Sequence, residues 1–176
     1  KSYAGREVPD DPIGHGTHMA ATIVGSGKAS EGKYRGIAPE ATLYFQALLD
    51  NQGELKVPAN INTLFEPAYE AGVRVHVNAW GGRLNTYSSR SSQIDRFVYQ
   101  HPDFLPIFGA GNDGPGKGSL TAEANSKNVL TVGSSQVPRP AFSPEARDAQ
   151  MIADSSSRGP AADGRIKPEL LAPGSS

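Results

Sequence analysis

The sequence predicts an α/β fold with a mostly parallel central β-sheet and helices on both faces. Short valine- and leucine-rich runs alternate with stretches whose apolar residues recur at helical spacing, in the order strand, helix, strand, helix, strand. Conspicuous glycine turns follow several of the apolar runs, which suits the carboxyl ends of parallel strands, where ligands bind. The chain has 176 residues, 37% of them hydrophobic, and no linker-like shift in composition divides it. That is enough for one sizeable core, so residues 1–176 read as a single domain or part of one.

Taken in order, a helix starts near His15 and ends near Gly25 or Gly27, its small residues Ala20, Ala21 and Thr22 suited to tight packing. "GSGKASEGKYRG" is a polar turn region, and "ATLYFQALLD" (41–50) is a short apolar run that predicts a buried strand. In "INTLFEPAYEAG" the residues Ile61, Leu64, Phe65, Ala68 and Tyr69 share a helical face, and Gly72 is a natural stop. "VRVHVNAW" alternates and is rich in valine, so it predicts a strand. "SSRSSQIDRFVYQHP" predicts a second helix in which Ile94, Phe97 and Val98 share a face and which Pro102 closes. "FLPIFGAGN" and "NVLTVGSS" predict two more strands, and the turn-rich end "SSSRGPAADGRIKPELLAPGSS" closes no element. Three turns stand at strand ends: Asn78–Gly82, Gly109–Pro115 and Val132–Ser135.

Several function classes are disfavoured. The net charge is -1 without a basic stripe, so nucleic acid is not an expected partner. No apolar run is long enough to cross a bilayer, so no membrane association is expected, and the first eleven residues hold no signal-peptide core. Without cysteine there are no disulfides and no thiolate metal sites.

The motifs point to a family. "GHGTHMAATIVG" resembles the block that carries the catalytic histidine of subtilisin-like serine proteases, and "GAGNDGP" resembles the block that carries their oxyanion-hole asparagine. "SSSRGPAADGRIKPELLAPG" resembles the segment before the nucleophile, and "VRVHVNAWGG" and "INTLFEPAYEAG" fit as well, leaning toward the oxidatively stable alkaline proteases that carry a C-terminal β-sandwich domain. The motifs cover nearly the whole chain in the family's order. The resemblance implies a subtilisin-like fold and peptide-bond hydrolysis by a Ser/His/Asp triad acting on a polypeptide substrate. By the same resemblance His15 is the general base, suited to it by a pKa near neutrality, and Asn112 donates to the oxyanion. Ala79, Trp80 and Gly81 resemble the strand beside which substrate lies, and Gly109, Ala110 and Gly111 the opposite wall of the primary specificity pocket. Two such walls of backbone and small side chains would admit a large apolar or aromatic residue. Gly14 and Gly16 would spare the imidazole and an approaching substrate from crowding, with the rest of the helix buried.

Two family motifs are not matched. No "DTG"-like segment with the catalytic aspartate precedes His15, and no "GTSMA"-like nucleophile motif follows "APG". The expectation is the central part of one catalytic domain, incomplete at both ends, inactive by itself and prone to self-association or to association with the missing parts. Ser175 and Ser176 read as a severed end, and secretion is expected from the family alone. The chemistry requires no cofactor or metal; calcium is a structural ion in the family, but no ligand set stands out.

Plainer readings compete. Asp10 and Asp11 read as solvated loop charges or a helix cap rather than a substitute aspartate. His15 and His18 form a weak i, i+3 metal pair without a third ligand, so a metallohydrolase is a distant alternative. His18 and His76 read as structural, and His101 as a helix-end cap. Asn112 alone is a turn residue, and Trp80 serves core and cleft roles equally well. The other main alternative is a pseudo-protease or peptide-binding scaffold, against which the retained His15 and Asn112 speak.

Overall fold

The computed structural model describes residues 1–137 and 148–175; Ser176 lies outside the described residues. The chain forms two compact units, Lys1–Ala59 and Asn60–Ser176.

The first unit carries helix α1, His15–Val24. It starts from Gly14, whose φ of +80° only glycine adopts readily. The Asp11 carboxylate accepts the Thr17 amide at 2.6 Å, satisfying one of the free N–H groups of the first turn. Burial works against charge on Asp11, but hydrogen bonds from Thr17, Gly14 and Ile13 outweigh it and hold the carboxyl below its ordinary value. The cap reading of Asp11 therefore stands, while Asp10 pairs with Arg6. Residues 36–38 run against the far end of the helix, with Gly36 donating to the Gly25 carbonyl at 2.7 Å and Ala38 to that of Ile23 at 2.7 Å. A Cβ on Gly36 would stand 2.8 Å from the Ala21 carbonyl oxygen, so the small residues allow backbone to meet backbone. No residue of α1 is buried, contrary to the expected buried helix, because these backbone contacts rather than a side-chain core hold it.

The apolar run 41–50 forms no continuous strand. It makes two isolated bridges, Ala47 with Ser2 and Leu49 with Leu55, and only Ala47 is buried. The carboxylate of Asp50 accepts the Gln52 and Glu54 amides at 2.9 Å and bends the chain back at once, so no ladder extends.

The second unit holds a parallel sheet in the order β1 (Val75–Asn78), β2 (Leu105–Gly109), β3 (Leu130–Gln136), β4 (Leu170–Ser175). The α/β class with a parallel sheet is as expected. Helices α2 (Asn62–Glu70) and α3 (Ser89–Gln100) meet over the face that carries His76. Phe65 from α2, Phe97 from α3, Phe104 and His76 interlock edge to face or tilted, with ring centroids 4.8–5.8 Å apart. Among these rings burial holds His76 at a pKa of about 4. The predicted bounds of α3 follow from its ends. Ser88 and Ser91 form a reciprocal capping box, and the His101 ring nitrogen Nδ1 lies 2.9 Å from the Phe97 carbonyl oxygen.

Strand β4 corrects the reading of the chain's end as turns. The buried ammonium of Lys167 reaches the Val129 carbonyl at 3.1 Å and the Glu169 carboxylate at 2.6 Å, and Glu169 accepts the Thr131 amide at 2.7 Å. These contacts pin β4 to β3, and Pro173 is tolerated in it because, among the described residues, β3 is its one strand neighbour. Val132–Ser135, read as a turn, lies inside β3.

Candidate active site

His15 belongs to the first unit, and the other candidate residues to the second. His15 is the first residue of α1 and is exposed, as is His18. A Cβ on Gly14 would meet nothing within 4 Å, and one on Gly16 would make only ordinary contacts at 3.5 Å with Asp11 and Phe45. Glycine at 14 suits its left-handed backbone, which other residues adopt at a cost. Among the described residues, no three His, Asp or Glu side chains gather so as to hold a metal ion.

In the second unit, the last register pair of β1 and β2 is Asn78 with Phe108. Ala79–Gly81 and Gly109–Asn112 therefore leave the carboxyl edge of the sheet as neighbours. Trp80 is half-buried, its ring 5.4 Å from that of Phe108 and edge-on, with the Arg90 guanidinium 5.7 Å from its centroid. The indole thus packs on Phe108 while remaining partly exposed. Ala110 is buried with Leu120, Ala124 and Ala161, and both its backbone groups are engaged, by Val132 and by Thr121. Gly109 ends β2 and is exposed. Gly111 has a φ of +118°, and a Cβ there would stand 2.7 Å from the Ser157 hydroxyl. Asn112 is exposed, and no hydrogen bond among the described residues holds its carboxamide. Its backbone is held on both sides, however. The Ser157 amide donates to the Gly111 carbonyl at 3.0 Å, and the Ser157 hydroxyl oxygen accepts the Asp113 amide at 3.0 Å.

A buried ion pair secures the neighbouring segment. The Glu123 carboxylate accepts the Gly82 amide at 2.7 Å and the Arg90 guanidinium at 2.9 Å, while the Gly82 carbonyl accepts the Ala122 amide at 3.1 Å. Ser157, Thr121, Glu123 and Arg90 all shape this edge, and sequence reasoning singled out none of them. "SLTAEANSKN" has no periodicity, and a lone Glu or Arg reads as a solvated charge.

Residues 2–176 match the Subtilase family. The chain is 35% identical over 143 residues to the serine protease/ABC transporter B family protein tagD of Dictyostelium discoideum, covering 76% of this chain and 8% of that protein. It is 32% identical over 180 residues to the serine protease AprX of Bacillus subtilis, covering 94% of this chain and 39% of AprX. Its fold is similar to that of the solved structure of sphericase, with a TM-score of 0.71 at 25% identity, over 100% of this chain and 59% of that one. The chain spans less than two thirds of the length of each of these relatives. With this match over its whole sequence and the parallel sheet of its second unit, the chain belongs to the subtilase family.

Proposed function

We propose that this chain supplies the general base and the oxyanion donor of a serine endopeptidase that hydrolyses polypeptides. The observation that carries the reading is the order of the histidine block, the "NAWGG" turn, the "GAGNDGP" turn and the "APG" segment along a chain that matches the Subtilase family over residues 2–176. In this reading the His15 imidazole takes the proton of a serine hydroxyl as its oxygen attacks the scissile carbonyl, and returns it to the leaving amine. The Asn112 carboxamide donates to the carbonyl oxygen as it gains charge. Its exposure at the end of β2, on a backbone fixed by Ser157, suits that task. The substrate backbone lies beside Ala79–Gly81 as an added strand.

Neither the aspartate nor the serine of the triad falls on a matched motif of this chain. The triad works as a unit, so residues 1–176 alone are expected to show no measurable hydrolysis. An extracellular site of action belongs to the same reading. The test is steady-state hydrolysis of a chromogenic peptide by the full-length protein. His15→Ala should lower kcat by 10³-fold or more. Asn112→Ala should lower it by about 10²–10³-fold, the magnitude known for subtilisin, the type member of this family. A serine-directed reagent should abolish the rest. Hydrolysis that survives His15→Ala would overturn the reading, and peptide binding without hydrolysis would favour a scaffold instead.

A further inference from the structure

Two cations are set side by side in the second unit. Lys117 and Arg158 are partners in an isolated parallel bridge, so their side chains leave the same face of the pair. Lys117 is exposed and Arg158 half-buried. The backbone holds this register. Ser119 donates to the Arg158 carbonyl at 2.9 Å and Gly118 to that of Gly159 at 3.1 Å, and the Arg158 amide donates to the Ser119 hydroxyl oxygen at 3.0 Å. A Cβ on Gly159 would stand 2.2 Å from the Lys167 carbonyl oxygen, so the Arg158 segment is pressed against the chain behind it. Among the described residues, neither cation enters an ion pair. Asp113 and Asp154, the carboxylates nearest in sequence, are exposed and pair with neither. The next ones, Glu123 and Asp163, are taken by Arg90 and Arg165. The Nε of Arg158 is buried without a hydrogen-bond partner. Like charges directly opposite destabilise a strand pair, and a charged N–H buried without an acceptor adds to that cost. Sequences retain such local conflicts at functional sites, where a group from outside offsets them.

We propose that Lys117 and Arg158 form a binding site for one oxyanion, a phosphate or a carboxylate. The guanidinium offers its N–H groups as a planar fork that matches two oxygens, and the ammonium adds a point charge beside it. An oxyanion between them turns one repulsive pair into two attractive ones. A halide lacks the two oxygens that the fork matches. Binding there needs no hydrolysis, so the site stands apart from the peptidase reading.

The test is thermal unfolding of the full-length protein with two probes, inorganic phosphate and an end-blocked pentaglutamate peptide, each against sodium chloride at matched ionic strength. At least one probe should raise the wild-type Tm saturably, by about 2 °C or more over chloride. Lys117→Gln and Arg158→Gln should each lose at least half of that gain. Lys117→Glu places a carboxylate beside Arg158, so it should melt above the wild type in chloride and lose the gain altogether. The Lys117 variants change an exposed side chain and carry the test if Arg158→Gln does not fold. A gain with phosphate alone assigns the site to a free ion, and one with pentaglutamate alone to carboxylates of a polypeptide. A gain with both assigns it to either source, and all three results support the site. No gain with either probe, or a gain that Lys117→Gln and Lys117→Glu keep in full, overturns it.

Discussion

Ser157 brackets Asn112: its amide bonds the carbonyl before the asparagine and its hydroxyl oxygen takes the amide after it, each at 3.0 Å. Two bonds from one residue fix the plane of the backbone from which the carboxamide projects. In the proposed reading the carboxamide serves as oxyanion donor only if it already points where charge will develop, because reorientation during reaction costs the gain.

Ser157→Ala removes the bond to Asp113 and keeps the one to Gly111. We expect kcat to fall about tenfold and KM to stay within about twofold, because the loss is felt in the transition state. In the Asn112→Ala background the same substitution should change nothing further, since a positioning residue has nothing left to position. Steady-state kinetics of the four forms of the full-length protein check this.

Glu123→Ala should be among the more destabilising single changes in the second unit. It leaves the Gly82 amide and the partly buried Arg90 without their shared acceptor. Because the cation left behind is partly exposed, the lost acceptor costs about 1–3 kcal/mol. Glu123→Gln keeps an acceptor for Gly82 and should cost less. Urea unfolding of the variants measures the difference, and equal losses for Gln and Ala would contradict the role given to the amide bond.

His76 makes stability depend on pH in a stated direction. Burial lowers its pKa from 6.5 to about 4, so the folded state stays neutral where an exposed histidine takes up a proton. Its contribution is complete above about pH 6.5 and is lost as pH falls from there through about 4, because the unfolded chain binds the extra proton. The loss amounts to at most about 3 kcal/mol. His76→Phe keeps a ring against Phe65 and Phe104. Its stability relative to wild type should therefore rise steadily between pH 6.5 and 4, measured by denaturant melts across that range.

The two glycines around His15 should respond oppositely to alanine. Gly14→Ala forces a side chain onto a φ of +80° and should cost about 1 kcal/mol. Gly16→Ala adds a methyl inside the helix with ordinary contacts at 3.5 Å, and should leave stability unchanged or raise it by up to about 1 kcal/mol. Thermal melts decide, and a larger loss for Gly16 than for Gly14 would contradict this assignment.

What could be read from the residues was local. The 3.6-residue spacing of Leu64, Phe65 and Ala68 and the shared face of Ile94, Phe97 and Val98 announce α2 and α3, and the valines of β1 announce a strand, because each signal lies within its own element. The run at 41–50 misleads because apolarity says nothing of whether a partner strand runs alongside it. Strand β4 is masked by Pro173 and Gly174, which punctuate a sequence but are harmless where a strand has a neighbour on one side only. Thr121, Glu123 and Ser157 escape notice for a related reason. Their roles depend on backbone brought from some 30 to 45 positions away, as in the bonds to Gly82 and Asp113. The readings of His15 and Asn112 rest on the company of the other motifs.

The carboxylate of Asp95, on α3, accepts the amides of Lys127 and Asn128 at 2.8 Å each and the Tyr87 hydroxyl at 2.8 Å, and the Asn128 side chain returns a bond to the Asp95 carbonyl. The bend ahead of β3 is thus clamped to a helix rather than left to solvent, although Lys127 and Asn128 are themselves exposed. Amide protons at such a bend ordinarily exchange with water quickly. Here they can be released only when α3 gives way, so their exchange should keep pace with that of the helix interior and report on the unfolding of the sheet unit as a whole.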